Sequence, residues 1–519
     1  MTNVEALLYL TLGLWWVSRA RPQERSPVHW AALFWALVLL ASAFAAAEFR
    51  GAGAKFALRQ IGGALLFLAV ADLLAAPRRA VILAGSYAAG AVISAAGAVA
   101  ETAWAPAAEA LLRFKTQPSV VEGVLRASGT LQYANLAAMA WGMALPVTTA
   151  LFAARRGALW RLATGAGTLV LVEALVRSAS RAGLLTALLV LAAIAVTARG
   201  RLASLRGPAL LTLASLLCLA GVDLATHRGL ALRLRDREDR SWFDAEFRVE
   251  GAPPLDAGGA ADFPLRARNV GRLRWWASGE HALSVGYSWL TEPGGSVHVA
   301  APLPRDVEPG ESVTMDARVL APRAAGRHRL RWLLTGDGLA WVSPQAGTAT
   351  DLDVEVRPAA GVLSHRTEDP AALLLPQQQP TRPALWRAGL ALWLERPILG
   401  VGPDNFRRLY ARKLGPHPLD ERVHANSLYV EVLATLGLSG AASLAGLAVA
   451  LAMTGARALR SADPGARVVA AGAVSGLAAF FVHGFLDYGL EATALYGAFW
   501  LLAGLIAGVS ISSRSAEPR

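Results

Sequence analysis

Cysteine is nearly absent from this 519-residue sequence, in which Cys218 stands alone. A single thiol can form neither an internal disulfide nor a thiolate metal site, so the fold depends on neither. Charged residues are also scarce, at 17%, whereas 54% of the residues are hydrophobic. Together with a mean hydropathy of +0.40, this composition predicts a membrane protein with several spanning helices rather than a soluble domain.

Acidic residues are fewer than basic ones, and the formal net charge is +12. The excess consists mainly of arginines between apolar segments, which favours loops that fix membrane topology over a nucleic-acid surface. Signatures of several enzyme classes are missing, because no Ser/His/Asp hydrolase elbow, Walker loop or dinucleotide fingerprint is present. Gly400-Val401-Gly402 is not a phosphate loop, since no predicted strand precedes it and no Lys-Ser/Thr pair follows it.

Eleven apolar segments of roughly spanning length predict transmembrane helices. They lie at about 3–18, 29–48, 56–75, 80–100, 130–153, 158–177, 182–198, 208–226, 427–455, 467–487 and 491–511. Arginines follow the first segment rather than precede it, which favours a retained helix over a cleaved signal peptide. Basic residues in the short loops favour an N-out, C-in orientation by about two to one, which would place residues 228–426 outside the cytoplasmic membrane.

Residues 237–357 change to short runs of alternating apolar and polar residues, as at 263–271, 281–289, 312–320 and 328–334. Such alternation predicts half-buried strands, and the Gly/Pro turns between them favour an antiparallel sandwich of about eight strands. Asn269-x-Gly271 and Pro309-Gly310 give this region a resemblance to bacterial immunoglobulin-like modules. The following residues, 358–381, are predicted to be an irregular linker.

The densest group of arginines and histidines lies at 382–440, directly before and within an apolar segment. Cationic side chains beside a membrane helix are costly unless an anionic partner is present. An ordered set of residues runs through the segment: Arg382, Trp386, Pro397, Gly400, Gly402, Asn405, Phe406, His424, Asn426, Leu428, Glu431, Gly437, Leu438 and Gly440. In this order and spacing they resemble the signature of the O-antigen ligase and polymerase family of bacterial envelopes.

The resemblance implies a polytopic α-helical membrane protein of the GT-C-like glycosyltransferase class, interrupted here by the all-β immunoglobulin-like sandwich. We expect a bundle of about eight spans (1–227), the sandwich (237–357), a linker with the catalytic segment (358–426) and three further spans (427–511). The implied reaction moves a glycan from undecaprenyl diphosphate to a hydroxyl of a glycan, lipid or protein acceptor, at the outer face of the bacterial cytoplasmic membrane. The expected partners include membrane lipids, and the resemblance implies no cofactor, metal or nucleic acid.

Catalytic roles fall by this resemblance on His424, as proton acceptor or orienting group, and on Arg181 and Arg387. These two arginines would hold the diphosphate together with Arg382 and Arg407. His417 is the alternative histidine. A planar guanidinium suits phosphate because it offers paired donors. Six further residues are expected to bind substrate or to order the site: Asn135, Arg382, Arg407, Asn426, His483 and Asp487.

Structural alternatives exist for these assignments. His424 could be a hydrogen-bonded residue at the start of a helix, Arg181 could extend toward the membrane surface, and Asn135 could belong to a helix cap. His483, Asp487 and Glu491, at i, i+4 and i+8, could share a helical face as metal ligands, although a His–Asp pair that orients another group is favoured. The alternative functions are a flippase for lipid-linked glycans and a non-catalytic envelope assembly protein.

Overall fold

A computed structural model describes residues 3–18, 25–74, 77–115, 119–121, 124–154, 157–226, 229–234, 245–270, 274–278, 282–290, 297–336, 351–358, 380–414, 421 and 423–515. The chain divides into two compact units. The helical unit comprises Met1–Val121, Leu125–Arg233 and Pro380–Arg519. The β unit comprises Glu122–Val124 and Leu234–Gln379.

The helices follow the apolar segments of the sequence. They are α1 (Asn3–Ser18), α2 (Pro27–Ala45), α3 (Arg50–Leu73), α4 (Pro77–Ala103), α5 (Ala105–Leu112), α6 (Ala134–Ala153), α7 (Ala158–Arg177), α8 (Arg181–Thr197), α9 (Arg206–Ala225), α10 (Gly229–Leu234), α11 (Arg382–Glu395), α12 (Phe406–Leu409), α13 (Leu428–Ala458), α14 (Pro464–His483) and α15 (Thr493–Ser515).

Within the described residues, nine helices are long and apolar enough to cross a membrane: α2, α3, α4, α6, α7, α9 (with the preceding 3-10 turn), α13, α14 and α15. The helices α1 and α8 are apolar but shorter. The protein is therefore a polytopic helical membrane protein. A helix lies at each of the eleven predicted segments, but the count of eleven crossings stays a prediction because α1 and α8 are short.

Close approach of helix backbones builds the centre of the helical unit. A Cβ atom at Gly476 on α14 would lie only 2.5 Å from the carbonyl oxygen of Met143 on α6. A Cβ atom at Gly504 on α15 would lie 2.6 Å from the side chain of Val70 on α3. Small residues at such crossings let membrane helices pack through van der Waals contact, which replaces the hydrophobic driving force absent between apolar helices in lipid.

Residues 397–402 pack against a kink in α13. Gly437 interrupts the helix with φ 65° and ψ −158°, a conformation that glycine adopts without steric cost. The opened helix exchanges backbone hydrogen bonds with the segment, since Val401 donates to the Ala434 carbonyl at 3.0 Å and Leu438 donates to the Pro397 carbonyl at 2.8 Å. Glycine also permits the close approach of the two backbones, because a Cβ atom at Gly400 would lie only 2.2 Å from the carbonyl carbon of Thr435 on α13.

The strands are β1 (Val120–Val121), β2 (Val124–Leu125), β3 (Ala245–Val249), β4 (Leu255–Asp256), β5 (Ala260–Asn269), β6 (Leu283–Trp289), β7 (Val297–Pro302), β8 (Ser312–Leu320), β9 (Gly326–Gly336) and β10 (Asp351–Arg357). Strands β1 and β2 pair with each other. In the β unit, one sheet has the order β4-β10-β9-β6-β7 and a second has the order β3-β5-β8. Side chains from both sheets form one hydrophobic core, with Phe263, Tyr287 and Trp332 fully buried. The alternating runs of the sequence thus correspond to β5, β6, β8 and β9, whose inward residues fill this core.

Candidate functional site

His424 lies in the short segment that leads into α13. Its ring is buried, and Trp386 on α11 holds the segment by donating its indole N–H to the Ala425 carbonyl at 3.0 Å. The Nδ1 atom of His424 lies 3.0 Å from Oε1 of Glu431, a fully buried residue in the first turn of α13. The other oxygen of Glu431 accepts the backbone N–H of Ala425 at 2.8 Å. One buried carboxylate therefore fixes both the imidazole and its loop.

A second carboxylate reaches His424 from the segment between α14 and α15. Oε2 of Glu491 lies 2.6 Å from Nε2 of His424. The hydroxyl of Tyr133 donates to Oε1 of Glu491 at 3.3 Å, and the ring of Tyr488 packs on the imidazole with centroids 5.0 Å apart. We call these five residues, His424, Glu431, Glu491, Tyr133 and Tyr488, the histidine cluster.

Opposing effects set the protonation of the cluster. Burial lowers the pKa of His424, but the charges of Glu431 and Glu491 outweigh burial and raise the pKa well above its ordinary value. Burial raises the pKa of Glu491, but His424, Tyr133 and Arg407 outweigh it and lower the pKa. The proton therefore resides on the imidazole at neutral pH, between two carboxylates. Burial also raises the pKa of Tyr488, so its hydroxyl stays neutral.

Arg407 on α12 lies near this cluster but already has a carboxylate partner. Its Nε and Nη2 atoms donate to the two oxygens of Asp404 at 2.8 and 2.7 Å, and Nη1 donates to the Glu421 carbonyl at 3.0 Å. The fork geometry that would suit a phosphate is thus occupied by a side chain. Arg407 was expected to hold the diphosphate; in the structure its guanidinium pairs with Asp404, and its contact with a diphosphate stays a prediction.

A pocket of about 180 Å³ lies at the start of α8. Its lining residues are Asn135, Ser180, Arg181, Ala182, Leu185, Arg382 and Leu486. Neither Arg181 nor Arg382 forms an ion pair within the described part of the chain, and the Nε atom of Arg382 is buried without a hydrogen-bond partner there. We call this the arginine pocket. Its two guanidinium groups provide positive charge, and Nε of Arg382 is a donor without a partner among the described residues, which are features that an anionic group requires.

The turn before α8 is built to present Arg181. Ser180 caps the helix by accepting the backbone N–H of Gly183 at 3.2 Å, and Ala179 has a φ of 47°. The buried Arg126 braces the turn from behind, because its Nε donates to the Ser178 carbonyl and its Nη2 donates to Oδ1 of Asn135, each at 2.7 Å. Asn135 is therefore positioned beside Arg181 by a buried cation that the sequence did not single out.

His483 and Asp487 lie near Arg382, at the end of α14 and in the segment after it. Both ring nitrogens of His483 and the Oδ2 atom of Asp487 are buried without a hydrogen-bond partner among the described residues. Burial raises the pKa of Asp487 to about 6, although the Tyr488 N–H, Arg382 and Asn135 act to lower it. Buried polar atoms in native proteins nearly always have a protein or water partner, and these atoms place free hydrogen-bonding capacity near Arg382 among the described residues.

Some expectations change in the structure. Helix α14 ends at His483, so His483, Asp487 and Glu491 do not share a helical face, and no group of metal-ligating residues occurs among the residues described. Arg387 is exposed on α11 and is not among the lining residues of the arginine pocket, so its catalytic role stays a prediction. Asn426 adopts a φ of 49° in the turn before α13. His417 lies outside the described residues.

Several residues of the site escaped the sequence reasoning. Glu431 was noted only as part of the family pattern, Glu491 only as a metal ligand, and Tyr133, Tyr488 and Asp404 were not assigned a role. The spacing of Glu431 from His424 could have predicted their contact. A carboxylate in the first turn of a helix can accept hydrogen bonds from the segment that precedes the helix. No local pattern predicts the contact of Tyr133 with Glu491, which are 358 residues apart in sequence.

The charged and polar residues of both sites lie where α6, α8, α13, α14 and α15 begin or end. The molecule is thus a multi-pass membrane protein with a charged site at the ends of its helices. The family model of O-antigen ligase matches residues 374–445, the segment that contains α11, α12, His424 and the kink of α13. The match confirms the predicted resemblance to the O-antigen ligase family in this segment. The family implies a glycosyltransferase-like enzyme that acts on lipid-linked glycans.

Two other comparisons add little. No curated protein matches the chain. A solved structure of Pseudomonas fluorescens alkylpurine DNA glycosylase AlkC, bound to DNA containing an abasic site analogue, matches at 12% identity and a TM-score of 0.15, and covers 65% of this chain and 100% of that chain. A similarity at that score supports no conclusion about fold or function.

Proposed function

We propose that this protein transfers a glycan from undecaprenyl diphosphate to an acceptor hydroxyl at the outer face of the bacterial cytoplasmic membrane. The observation that carries the proposal is the presence of two complementary sites on one short segment. Leu486 lines the arginine pocket, whereas Tyr488 packs on the imidazole of His424. A cation-lined pocket and a proton-handling cluster are therefore held only a few residues apart, as a transfer between a diphosphate leaving group and a hydroxyl requires.

In this reaction the acceptor hydroxyl attacks the anomeric carbon of the glycan, and the bond from that carbon to the diphosphate breaks. Arg181 and Arg382 bind the diphosphate and stabilise the charge that develops on it as it leaves. The histidine cluster binds the hydroxyl and takes up its proton. Asn135 and Asp487 contribute polar contacts to the sugar, because each lies beside an arginine of the pocket.

No divalent cation is needed in this mechanism, since two guanidinium groups supply the charge that a metal supplies in other glycosyltransferases. The remaining elements of the proposal concern topology. All eleven apolar helices cross the membrane, and the β unit is an immunoglobulin-like sandwich inserted on the outer side. These features are supported by the loop arginines and by the two-sheet core, respectively.

Purified protein in lipid nanodiscs tests the proposal directly. It is mixed with an undecaprenyl-diphosphate-linked glycan and a hydroxyl acceptor, without nucleotide or ion gradient, and the joined product is measured by mass spectrometry. We expect product and free undecaprenyl diphosphate in equal amounts. A flippase would instead move the donor across a liposome bilayer and leave it chemically unchanged, and that result would refute the proposal.

A further inference from the structure

Both ring nitrogens of His424 lie within ion-pair distance of a carboxylate, and Nδ1 is the one that forms a hydrogen bond among the described residues. Nδ1 lies 3.0 Å from Glu431 and Nε2 lies 2.6 Å from Glu491. The exposed fractions of the three side chains differ sharply, at 5% for His424, 1% for Glu431 and 28% for Glu491. An incoming hydroxyl can therefore reach the glutamate at the edge of the cluster, whereas the imidazole is enclosed behind it.

We propose that Glu491 is the catalytic residue that accepts the proton of the attacking hydroxyl, and that His424 and Glu431 are positioning residues that hold its carboxylate in place. This inference rests on the proposed transfer reaction. In this proposal the imidazole of His424 is not the base. A base needs a free lone pair directed at the proton that it accepts. Neither ring nitrogen of His424 offers a free lone pair toward the solvent side of the cluster, because a carboxylate lies beside each nitrogen.

The protons and electrons of the step balance without a further reactant. The hydroxyl oxygen forms a bond to the anomeric carbon while the carbon–oxygen bond to the diphosphate breaks, and the bonding electrons leave with the diphosphate. The hydroxyl proton passes to the Glu491 carboxylate, which becomes a neutral acid. After the product leaves, that proton passes to water and the carboxylate is restored, with the imidazolium unchanged throughout.

The charged groups around Glu491 are consistent with this role. His424 and Arg407 are cationic neighbours that keep the carboxylate ionised, while Tyr133 donates a hydrogen bond to its second oxygen. Asp487 and Glu431 are the acidic groups nearby, and Tyr488 covers the imidazole. A carboxylate held by one imidazolium and one hydroxyl has lone pairs left for a substrate hydroxyl.

Substitutions at matched carboxylates test the assignment in the purified transfer assay. Glu491→Gln preserves the shape but cannot take the proton, and we expect kcat to fall on the order of 100-fold or more with little change in KM for the donor. Glu173→Gln is the control, because Glu173 has a similar exposed fraction of 26% and pairs only with Arg177 among the described residues. The control is expected to behave as the wild type.

Chemical rescue separates a proton acceptor from a structural glutamate. Added carboxylates should restore turnover to Glu491→Ala, and the restored rate should rise with the pKa of the added acid, a dependence that cavity filling does not produce. Imidazoles added to His424→Gly should give no such dependence. Turnover of Glu491→Gln within threefold of wild type, or rescue of His424→Gly that follows the pKa of the imidazole, would overturn the assignment. The rescue experiment on His424→Gly tests the assignment even if the Glu491 variants fail to fold. An inactive wild-type protein would instead refute the transfer reaction itself.

Discussion

The histidine cluster and the arginine pocket lie on the same short segment but are built in opposite ways. In the cluster, the imidazole of His424 forms ion pairs with two carboxylates, those of Glu431 and Glu491. In the pocket, Arg181 and Arg382 have no ion pair among the described residues, and the nearby His483 and Asp487 retain unpaired buried atoms. The imidazole thus has two ion-pair partners within the protein, whereas the two guanidinium groups of the pocket have none among the described residues.

This difference separates two tasks. Buried charges that are paired before substrate arrives need no reorganisation during the reaction, which is the property of a preorganised proton-transfer site. Unpaired guanidinium groups gain their partners only when an anionic group binds, which is the property of a binding site. We infer that the pocket determines affinity for the diphosphate and the cluster determines the rate of chemistry.

The largest effect is expected from His424→Ala. The substitution removes the cation between Glu431 and Glu491 and leaves a buried carboxylate uncompensated, so transfer should fall on the order of 100-fold or more. Loss of a buried partner also destabilises the fold, by about 3–5 kcal/mol. Turnover is measured per mole of protein recovered from the membrane. Wild-type turnover would contradict the role of the cluster and direct attention to His417.

Substitution of Arg181 should have the next largest effect. Lysine keeps the charge but loses the paired donors, so Arg181→Lys should impair transfer and Arg181→Ala should impair it more. A charge-assisted hydrogen bond contributes about 1.5–3 kcal/mol, which corresponds to roughly tenfold to a hundredfold or more in rate. Arg177→Lys is the control, because Arg177 already pairs with Glu173 in the same turn.

The same Arg181 experiment bears on metal independence. Chelator should leave wild-type turnover unchanged, because the arginines supply the positive charge. Full activity of Arg181→Lys would show that the guanidinium fork is not used. Activity that chelator removes and a divalent cation restores would contradict the mechanism.

A smaller effect is expected at Arg407, whose fork is occupied by Asp404. Pairs that are partly exposed contribute about 1 kcal/mol or less, so Arg407→Lys should change transfer by less than about tenfold. The melting temperature should decrease slightly, because the bidentate pair is lost. A loss as large as that of Arg181→Ala would show that Arg407 leaves Asp404 and binds the diphosphate.

The smallest effect concerns stability as a function of pH. Because the pKa of His424 is raised in the folded state, its ion pairs stabilise the protein fully below the unfolded pKa, near 6.5, and this contribution declines as the pH rises through the folded value. The difference in melting temperature between wild type and His424→Gln should therefore be larger at pH 6 than at pH 9.5. An equal difference at both pH values would show that folding does not raise the pKa of the imidazole, and a smaller difference at pH 6 would show that the fold keeps it neutral.

Much of this architecture could be predicted from the sequence, because long apolar segments and alternating runs reflect local periodicity. The helices lie at the predicted segments, and His424 was singled out by its place in the family pattern. The glycines of that pattern acquired a physical meaning only in the structure, where Gly437 opens α13 and the 397–402 segment pairs with it.

The rest of the site depends on contacts between distant residues, which periodicity does not encode. The contact of Glu491 with His424 requires the α14–α15 segment to fold back onto the start of α13. Arg126 and Asn135 meet because α6 lies beside the turn before α8. The exposed position of Arg387 likewise follows from which face of α11 is buried, and the family pattern alone could not decide it.

Binding of the lipid-linked donor tests the division between the two sites most directly. Affinity for an undecaprenyl-diphosphate-linked glycan is measured for purified wild type, His424→Ala, Arg181→Ala and Arg382→Ala, without acceptor so that no transfer occurs. We predict that His424→Ala binds the donor within roughly threefold of wild type, whereas each arginine variant weakens binding by about tenfold or more, equal to about 1.4 kcal/mol. Equal weakening by His424→Ala and Arg181→Ala, or unchanged binding in both arginine variants, would contradict the account.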